Sequence, residues 1–103
     1  MTSPAERLQA EGLEPIQWSN GPGDRYGAHS HSFDKIIIVE RGSIDFGLPV
    51  EGRSLALEAG DRLELPAGTS HEALVGDAGV ECWEAHLPGG RFSAAARRAA
   101  GEW

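Results

Sequence analysis

The sequence predicts an all-β domain with one short N-terminal helix. From Glu14 to Leu87 no helical period of useful length occurs, and short apolar or alternating segments recur between turns that contain glycine or proline. Eight such segments are typical of a sandwich or small barrel, and 103 residues hold a single core. We therefore expect one domain over 1–103, with the barrel at about 14–88 and a C-terminal tail at 89–103.

The helix is predicted from a start signal in the first residues. Ser3 is the expected N-cap, Pro4 occupies the first helical position, and Glu6 completes a capping box. Gly12 is a natural stop, so we expect a helix over about 4–11. Two turns are too short to be stable alone, which indicates that the helix packs against the barrel.

Glycine and proline set the expected strand boundaries. Gly42 in "ERGS" and Gly60 in "EAGD" predict tight turns with positive φ. The segment "SAAARRAA" at 93–100 is predicted to form a short helix or to fray. The eight expected strands are PIQWS, YGAHSH, KIIIVER, SIDFGL, SLALEA, DRLELP, SHEALV and VECWEAHL.

The third of these strands is apolar on both faces. In KIIIVER, Ile36 and Ile38 point opposite to Ile37 and Val39, so both faces need a cover. In a one-domain barrel this pattern favours a subunit interface, and we predict a homodimer. The alternative is that the N- or C-terminal segment covers the second face.

Composition argues against several classes of partner. The formal charge of −7, from nine basic and 16 acidic residues, repels phosphate backbones, so we expect no nucleic acid partner. No run of about 18 apolar residues occurs and the first residues contain no apolar signal segment, so we expect neither membrane association nor export. The single cysteine, Cys82, fits a reducing cytoplasm and is expected to be a small buried apolar side chain.

Three histidines carry the strongest chemical signal. His29 and His31 are two residues apart, so on a strand both side chains point to one face. A glycine- and proline-bearing segment leads to His71 and can bring it opposite them. Three converging imidazoles suit a divalent transition metal (Zn, Fe, Ni, Mn or Cu) and leave positions open for water or substrate. The alternative is a surface or hydrogen-bonded core role for each histidine.

The spacing of glycines, proline and histidines resembles the two signature motifs of the cupins. The first motif, G-x5-H-x-H-x(3,4)-E-x6-G, corresponds to "GDRYGAHSHSFDKIIIVERG", in which Lys35 replaces the glutamate. The second, G-x5-P-x-G-x2-H-x3-N, corresponds to "GDRLELPAGTSH", with Val75 in place of the final asparagine. The motifs and their spacer cover about half the chain, 23–75. The resemblance implies a double-stranded β-helix, or jelly-roll barrel, whose histidines bind a metal, commonly together with a carboxylate.

Lys35 departs from this pattern and is the only lysine of the chain. It shares parity with His31, so a regular strand points it to the place of the missing glutamate. Three arrangements stay open: the lysine turns away from a three-histidine metal, it loses its proton and serves as a base or ligand, or histidines and lysine bind an anion without a metal. A one-residue bulge could instead turn Asp34 inward to replace the glutamate.

The last predicted strand carries further candidates. Cys82, Glu84 and His86 share one face, and Trp83 and Leu87 lie on the other. If the polar face points inward, Glu84 or His86 is a further ligand or a general acid–base group. If the apolar face points inward, its residues are ordinary core and the polar side chains are solvated. We favour the inward position for Trp83.

Two functions of different classes follow. The first is a small metalloenzyme in which His29, His31 and His71 hold an ion that activates water or dioxygen, or polarises a small acid or carbonyl compound. Its candidate catalytic residues are Lys35, which would neutralise an anionic substrate or transfer a proton, and His86. The second is a non-catalytic module or sensor that binds a small ligand, with or without a metal. The lost glutamate favours the module, and the three retained histidines favour the enzyme.

Overall fold

The computed structural model describes residues 2–103, and this range contains one helix and seven strands. The chain is all-β, as predicted, and its strands pair antiparallel in a jelly-roll barrel. No helix in this range is long and apolar enough to cross a membrane. The elements are α1 (Pro4–Ala10), β1 (Ile16–Asn20), β2 (Arg25–His29), β3 (Asp34–Leu48), β4 (Arg53–Glu58), β5 (Arg62–Leu65), β6 (His71–Leu87) and β7 (Ala96–Arg98).

The capping box predicted for α1 is present. The Ser3 hydroxyl accepts a hydrogen bond from the Glu6 backbone N–H at 3.2 Å, and the Glu6 carboxylate accepts one from the Ser3 N–H at 3.4 Å. The helix ends at Ala10, one residue before the predicted end. Leu8 is fully buried against the outside of the barrel, so packing stabilises a helix that is too short to persist alone.

Two pairs of predicted strands are each one long strand. β3 joins KIIIVER to SIDFGL and β6 joins SHEALV to VECWEAHL, so the tight turn predicted at Gly42 is wrong. The two strands pair along their lengths, with register shifts on both sides of the Arg41–Gly42 step. Gly42 has φ +84°, and a Cβ there would overlap the carbonyl oxygen of Gly79. The positive φ expected of this glycine therefore serves a bulge in a continuous strand.

β3 and β6 form the centre of the sheet, and the shorter strands flank them. β1 and β2 pair with β6, while β4 and β5 pair with β3. The predicted turn at Gly60, with φ +91°, joins β4 to β5. This topology puts the end of β2 beside the start of β6, since His29 and His71 are register partners.

The barrel wall has an apolar layer on each side, as the parity of KIIIVER predicts. Ile37 and Val39 belong to the inner cluster, and Ile36 and Ile38 belong to an outer one. All four are buried. The inner cluster comprises Ile37, Val39, Ile44, Phe46, Leu48, Leu57, Leu63, Leu65, Ala73, Val75, Val80, Cys82 and Ala95.

The outer layer is covered by the two ends of the chain. Leu8 of α1 packs on Ile36 and Ile38, and Phe92 and Trp103 of the C-terminal segment complete the cluster. The second apolar face of β3 is therefore filled within one chain. The sequence predicts a homodimer because this face needs a cover. The terminal segments provide that cover, so the apolar face no longer supports a subunit interface.

The C-terminal tail is a strand at its centre, so the predicted helix or frayed end at 93–100 is wrong. β7 pairs with β5, with Arg98 opposite Arg62 and Ala96 opposite Glu64. This pairing satisfies backbone groups on the free edge of β5, which outweighs the weak helical propensity of an alanine-rich segment. Farther on, the Trp103 indole N–H donates to the Gly60 carbonyl at 3.0 Å and fastens the end of the chain.

Candidate site at the three-histidine cluster

His29, His31 and His71 come together at one end of the barrel. His29 ends β2 and His71 begins β6, directly opposite in register, while His31 lies two residues beyond β2. Their ring centroids are 4.4 Å apart for His29 and His71, 5.0 Å for His29 and His31, and 5.4 Å for His31 and His71. One potential ligand atom from each ring lies within 4.8 Å of the other two. The three rings therefore converge, as the sequence predicts.

Backbone turns hold the histidines in place. The Gly68 N–H donates to the His31 carbonyl at 2.8 Å, which fastens the loop after β2 to the turn before β6. Gly68 has φ +80°, a conformation that glycine adopts without strain. The Thr69 N–H donates to the Pro66 carbonyl at 3.2 Å and closes that turn. The glycine and proline ahead of His71 therefore set where this histidine enters β6.

Hydrogen bonds assign the same free nitrogen to all three rings. Nδ1 of His29 lies 2.7 Å from the Gly27 carbonyl, and Nδ1 of His71 lies 3.0 Å from the Thr69 carbonyl. A carbonyl only accepts, so each Nδ1 carries the proton and each Nε2 keeps a lone pair. Nε2 of His31 lies 3.4 Å from an ammonium, which only donates, so it too is an acceptor. Such outer contacts commonly orient histidine ligands toward a metal.

Burial keeps two of these rings uncharged. It lowers the pKa of His71, which is 4% exposed, although the hydrogen bond with Thr69 raises it. It also lowers the pKa of His31, and the positive charge of Lys35 lowers it further. At neutral pH both imidazoles therefore present lone pairs, as metal coordination requires.

Lys35 points into the barrel, as its parity predicts, and lines the same cavity as His29 and His71. Its ammonium lies 3.4 Å from His31 Nε2 and 3.6 Å from Glu84 Oε2. The side chains of Lys35 and Glu84 are 12% and 13% exposed. The cation at the glutamate position of the motif is thus neutralised by a carboxylate from β6, outside both motifs.

The polar face of the last strand is the inward one, and the predicted inward position of Trp83 is wrong. Cys82 belongs to the inner cluster and Glu84 lines the cavity, whereas Trp83 and Leu87 belong to the outer cluster. The Trp83 indole N–H donates to Glu40 Oε1 at 3.1 Å on that outer side. Trp83 packs in an apolar cluster, as expected, but this is the outer cluster, which the C-terminal segment covers.

Cys82 is a buried apolar side chain, as predicted. Burial, together with the smaller effect of the Glu84 charge, raises the pKa of its thiol to about 12. The thiolate is therefore absent at neutral pH, and with it the nucleophile and metal ligand that a cysteine can supply.

His86 stands beside the cluster rather than in it. Its Nε2 lies 2.6 Å from Glu84 Oε2, and its side chain is 39% exposed. Its ring contacts Phe33 with centroids 4.2 Å apart, and Phe33 in turn stacks on His31 at 4.9 Å. His86 thus occupies the outer end of a chain of contacts that runs through Glu84 to Lys35.

Asp34 is fully buried on the face of β3 away from the histidines. Its carboxylate accepts hydrogen bonds from the backbone N–H groups of Ala67 (2.7 Å), Arg91 (2.6 Å) and Phe92 (2.8 Å). Burial alone would raise the pKa of Asp34, but these bonds outweigh it and lower the pKa. Asp34 fastens the C-terminal segment to the barrel, and the proposed bulge that turns it inward does not occur.

Solved structures share this fold. A Bacillus subtilis oxalate decarboxylase variant aligns with a TM-score of 0.64 and 24% identity over 79% of this chain and 22% of that one. A Streptococcus pyogenes protein of unknown function aligns with a TM-score of 0.64 and 19% identity, over 76% and 66% of the chains. A Rhizobium leguminosarum protein of unknown function reaches 0.66 at 16% identity, over 74% and 70%. The chain has the cupin fold.

These similarities concern the fold of one barrel. No protein-family model and no curated protein matches the sequence. The chain spans about a fifth of the oxalate decarboxylase chains, 22% in the alignment above. Another structure of that enzyme, studied for its Mn(II) centers, aligns with a TM-score of 0.63 and 24% identity over 79% of this chain.

The interior of this cupin barrel opens into a cavity beside the histidines. Its volume is about 190 Å³, room for roughly six water molecules, which suits a small compound. Trp18 of β1 and Tyr26 of β2 complete the wall, and sequence reasoning did not single out Trp18. Its indole Nε1 is buried without a hydrogen-bond partner among residues 2–103. The remaining apolar lining residues are Ile37, Ile44, Phe46 and Ala73.

Proposed function

We propose that this cupin-fold protein binds a divalent transition metal through His29, His31 and His71, and that it holds a small anionic or carbonyl compound beside the metal. The observation that carries the proposal is the convergence of one ring nitrogen from each of three histidines to within 4.8 Å of one another. In two of these rings Nδ1 lies beside a backbone carbonyl, which leaves Nε2 as the free nitrogen. Imidazole nitrogen is a preferred ligand of Zn, Fe, Ni, Mn and Cu, which are the candidate ions.

The cavity supports a small ligand at this site. Apolar side chains form most of its wall, and the polar groups gather at the histidine end, where Lys35 and Glu84 are added. Such a distribution suits a compound with a short carbon skeleton and one polar end. A bound divalent ion would polarise a carbonyl or carboxylate oxygen of that compound.

Two side chains are proposed to act in a reaction at this site. Lys35 is within reach of a ligand in the cavity and would bind its negative charge or deliver a proton. His86 would exchange protons with solvent, because it is partly exposed and contacts Glu84 at 2.6 Å. The resulting class of reaction is a metal-assisted change at a small acid or carbonyl compound.

A non-catalytic binding module is the second candidate. The observation in its favour is that, within residues 2–103, the Lys35 ammonium is already held by His31 and Glu84, so it is not free to act as an acid or base. The same cavity would then hold a ligand without turnover.

Elemental analysis tests the metal site, and spectroscopy separates the two functions. Protein purified without a histidine tag or chelator should contain about one first-row metal per chain by plasma mass spectrometry. Absence of metal even after reconstitution would contradict the proposal. Visible spectra of the Co²⁺-loaded protein should change when small carboxylates are added. Product detected by mass spectrometry supports the enzyme, and a spectral change without product supports the module.

A further inference from the structure

Glu84 forms an ion pair with Lys35, and Glu84 lies in a part of β6 that is outside both histidine motifs. Its carboxylate also contacts Nε2 of His86 at 2.6 Å, so its position is fixed from the other side. The carboxylate lines the cavity, with 13% of the side chain exposed. It is therefore a fixed negative charge that faces the only lysine of the protein.

Metal binding through Nε2 of His31 would require Lys35 to move. The lysine ammonium lies 3.4 Å from His31 Nε2 and donates a hydrogen bond to it. A lone pair cannot bind a metal and accept this hydrogen bond at once, and a divalent cation repels an ammonium at this distance strongly in a partly buried site. The ammonium already lies 3.6 Å from Glu84 Oε2, so a small rotation of its side chain completes that contact.

We propose that Glu84 is a positioning residue for the metal site: it takes the Lys35 ammonium away from His31 when the metal binds. The inference rests on the proposed metal site. Glu84 acts through Lys35 and is not itself a ligand, since its carboxylate lies outside the set of atoms that converge from the three histidines. A lysine can therefore occupy this place in a metal-binding barrel because a carboxylate on β6 receives it.

A double-mutant cycle tests this coupling through the Zn²⁺ affinity. Dissociation constants are measured by competition with a chromophoric chelator for wild type, Glu84→Gln, Lys35→Met and the double variant. We expect Glu84→Gln to weaken binding by about tenfold or more, because it strands the ammonium beside the ion. Lys35→Met should bind as tightly as wild type or more tightly. In that background Glu84→Gln should change the affinity less than about threefold.

The control is Glu81→Gln on the opposite face of β6, where Glu81 pairs with the exposed Arg41 at 3.0 Å. It removes the same charge from the same strand and should leave the affinity unchanged. Equal losses from Glu84→Gln with and without Lys35 would overturn the proposal in favour of direct ligation by Glu84. No loss at all would overturn it too. Absence of Zn²⁺ binding in wild type would instead overturn the metal site itself.

A measurement on the wild-type protein keeps the test independent of how well the variants fold. Because Lys35 is the only lysine, selective lysine labelling gives one side-chain signal by NMR. Titration with Zn²⁺ should move that signal until one equivalent is bound, together with the ring signals of the histidines. Histidine signals that move while the lysine signal stays fixed would contradict a displacement of Lys35.

Discussion

Lys35 and Glu84 face each other across β3 and β6, with Nζ 3.6 Å from Oε2 and both side chains nearly buried. The two opposite charges of the pair cancel at the position where the first cupin motif has a glutamate. Removing one partner of a buried ion pair leaves an uncompensated charge, which destabilises the folded state by more than the intact pair stabilises it. Replacement of either residue alone is therefore expected to lower the free energy of unfolding. The charge at this place decides how strongly the site attracts a cation.

Replacing Lys35 by glutamate should tighten metal binding. Lys35→Glu removes a cation and places a carboxylate beside the three histidines, so the Zn²⁺ dissociation constant should fall by at least about tenfold. Competition with a chelator measures the change. Lys35→Met, which only removes the cation, separates the two effects and should give the smaller gain. A lower affinity in Lys35→Glu would mean that the lysine itself contributes to the site.

Removal of one histidine should empty the site. A structural zinc site with four ligands is worth about 10–16 kcal/mol, so the loss of one ligand corresponds to about 3 kcal/mol, or roughly a hundredfold in affinity. His71→Ala should therefore lose the metal in elemental analysis and keep its β-sheet circular dichroism. Glu72→Ala, at the next and exposed position of β6, is the control. Unchanged metal content in His71→Ala would refute the three-histidine site.

Metal affinity should fall on acidification. Burial lowers the pKa of His31 and of His71 below the ordinary value of 6.5. Their neutral forms are therefore favoured in the folded protein, and the stability that they contribute is present above pH 6.5 and lost as the pH falls through the lowered values. Protons then compete with the metal for Nε2. The Zn²⁺ affinity should be constant above pH 6.5 and should decline as the pH falls through the lowered pKa values. An affinity that shows no decline on acidification would contradict ligation by these rings.

Gly42→Ala should be among the most damaging single substitutions in the barrel. The new Cβ would overlap the Gly79 carbonyl oxygen in addition to adopting φ +84°. Gly12→Ala is the matched control, since it has φ +80° but no atom within 4 Å of the added Cβ. We expect Gly12→Ala to cost about 1–2 kcal/mol and Gly42→Ala at least about 2 kcal/mol more, measured by chemical denaturation. Equal losses of stability in the two variants would show that the bulge at Gly42 relaxes around the added methyl group.

Asp34→Asn should loosen the C-terminal segment without changing the metal site. An amide nitrogen cannot accept the hydrogen bonds that Arg91 and Phe92 donate to one carboxylate oxygen, so the melting temperature should drop by several degrees. Tryptic cleavage after Arg91 should become faster. Asp45→Asn, at an exposed position, is the control. Metal content that falls with Asp34→Asn would show that the carboxylate reaches the histidines after all.

The low pKa of Asp34 gives the same contact a pH signature. Its stabilising contribution is present above the ordinary value of 3.8 and is lost as the pH falls through the lowered value. Cleavage at Phe92 by pepsin, a protease that is active in acid, should therefore stay slow through the mildly acidic range and accelerate only in stronger acid. Acceleration that begins well above pH 3.8 would assign the release to another group.

Much of the site could be predicted because its signals are local. Residues two apart on a strand share a face, so the spacing of His29 and His31 and the parity of Lys35 already indicate which side chains meet. The glycine and proline before His71 report a turn for the same reason, since they select backbone angles directly. The all-β class follows from the alternation of apolar residues along the chain.

Other features depend on contacts between distant segments. Parity places Glu84 and Trp83 on opposite faces, but only the pairing of β6 with β3 decides that Glu84 points inward. Gly42 signals a positive φ, and only the approach of Gly79 decides between a turn and a bulge. The alanine-rich tail forms a strand because β5 offers it an unpaired edge.

By itself the sequence determined the fold class, the convergence of three histidines and the inward position of the lysine, because these follow from backbone periods and residue geometry. Only the tertiary structure decided what Lys35 contacts, what covers the outer face of Ile36 and Ile38, and what Asp34 holds. Each of these answers is a contact between strands or termini far apart in the chain. Such contacts are fixed by the packing of the whole barrel, which no local pattern encodes.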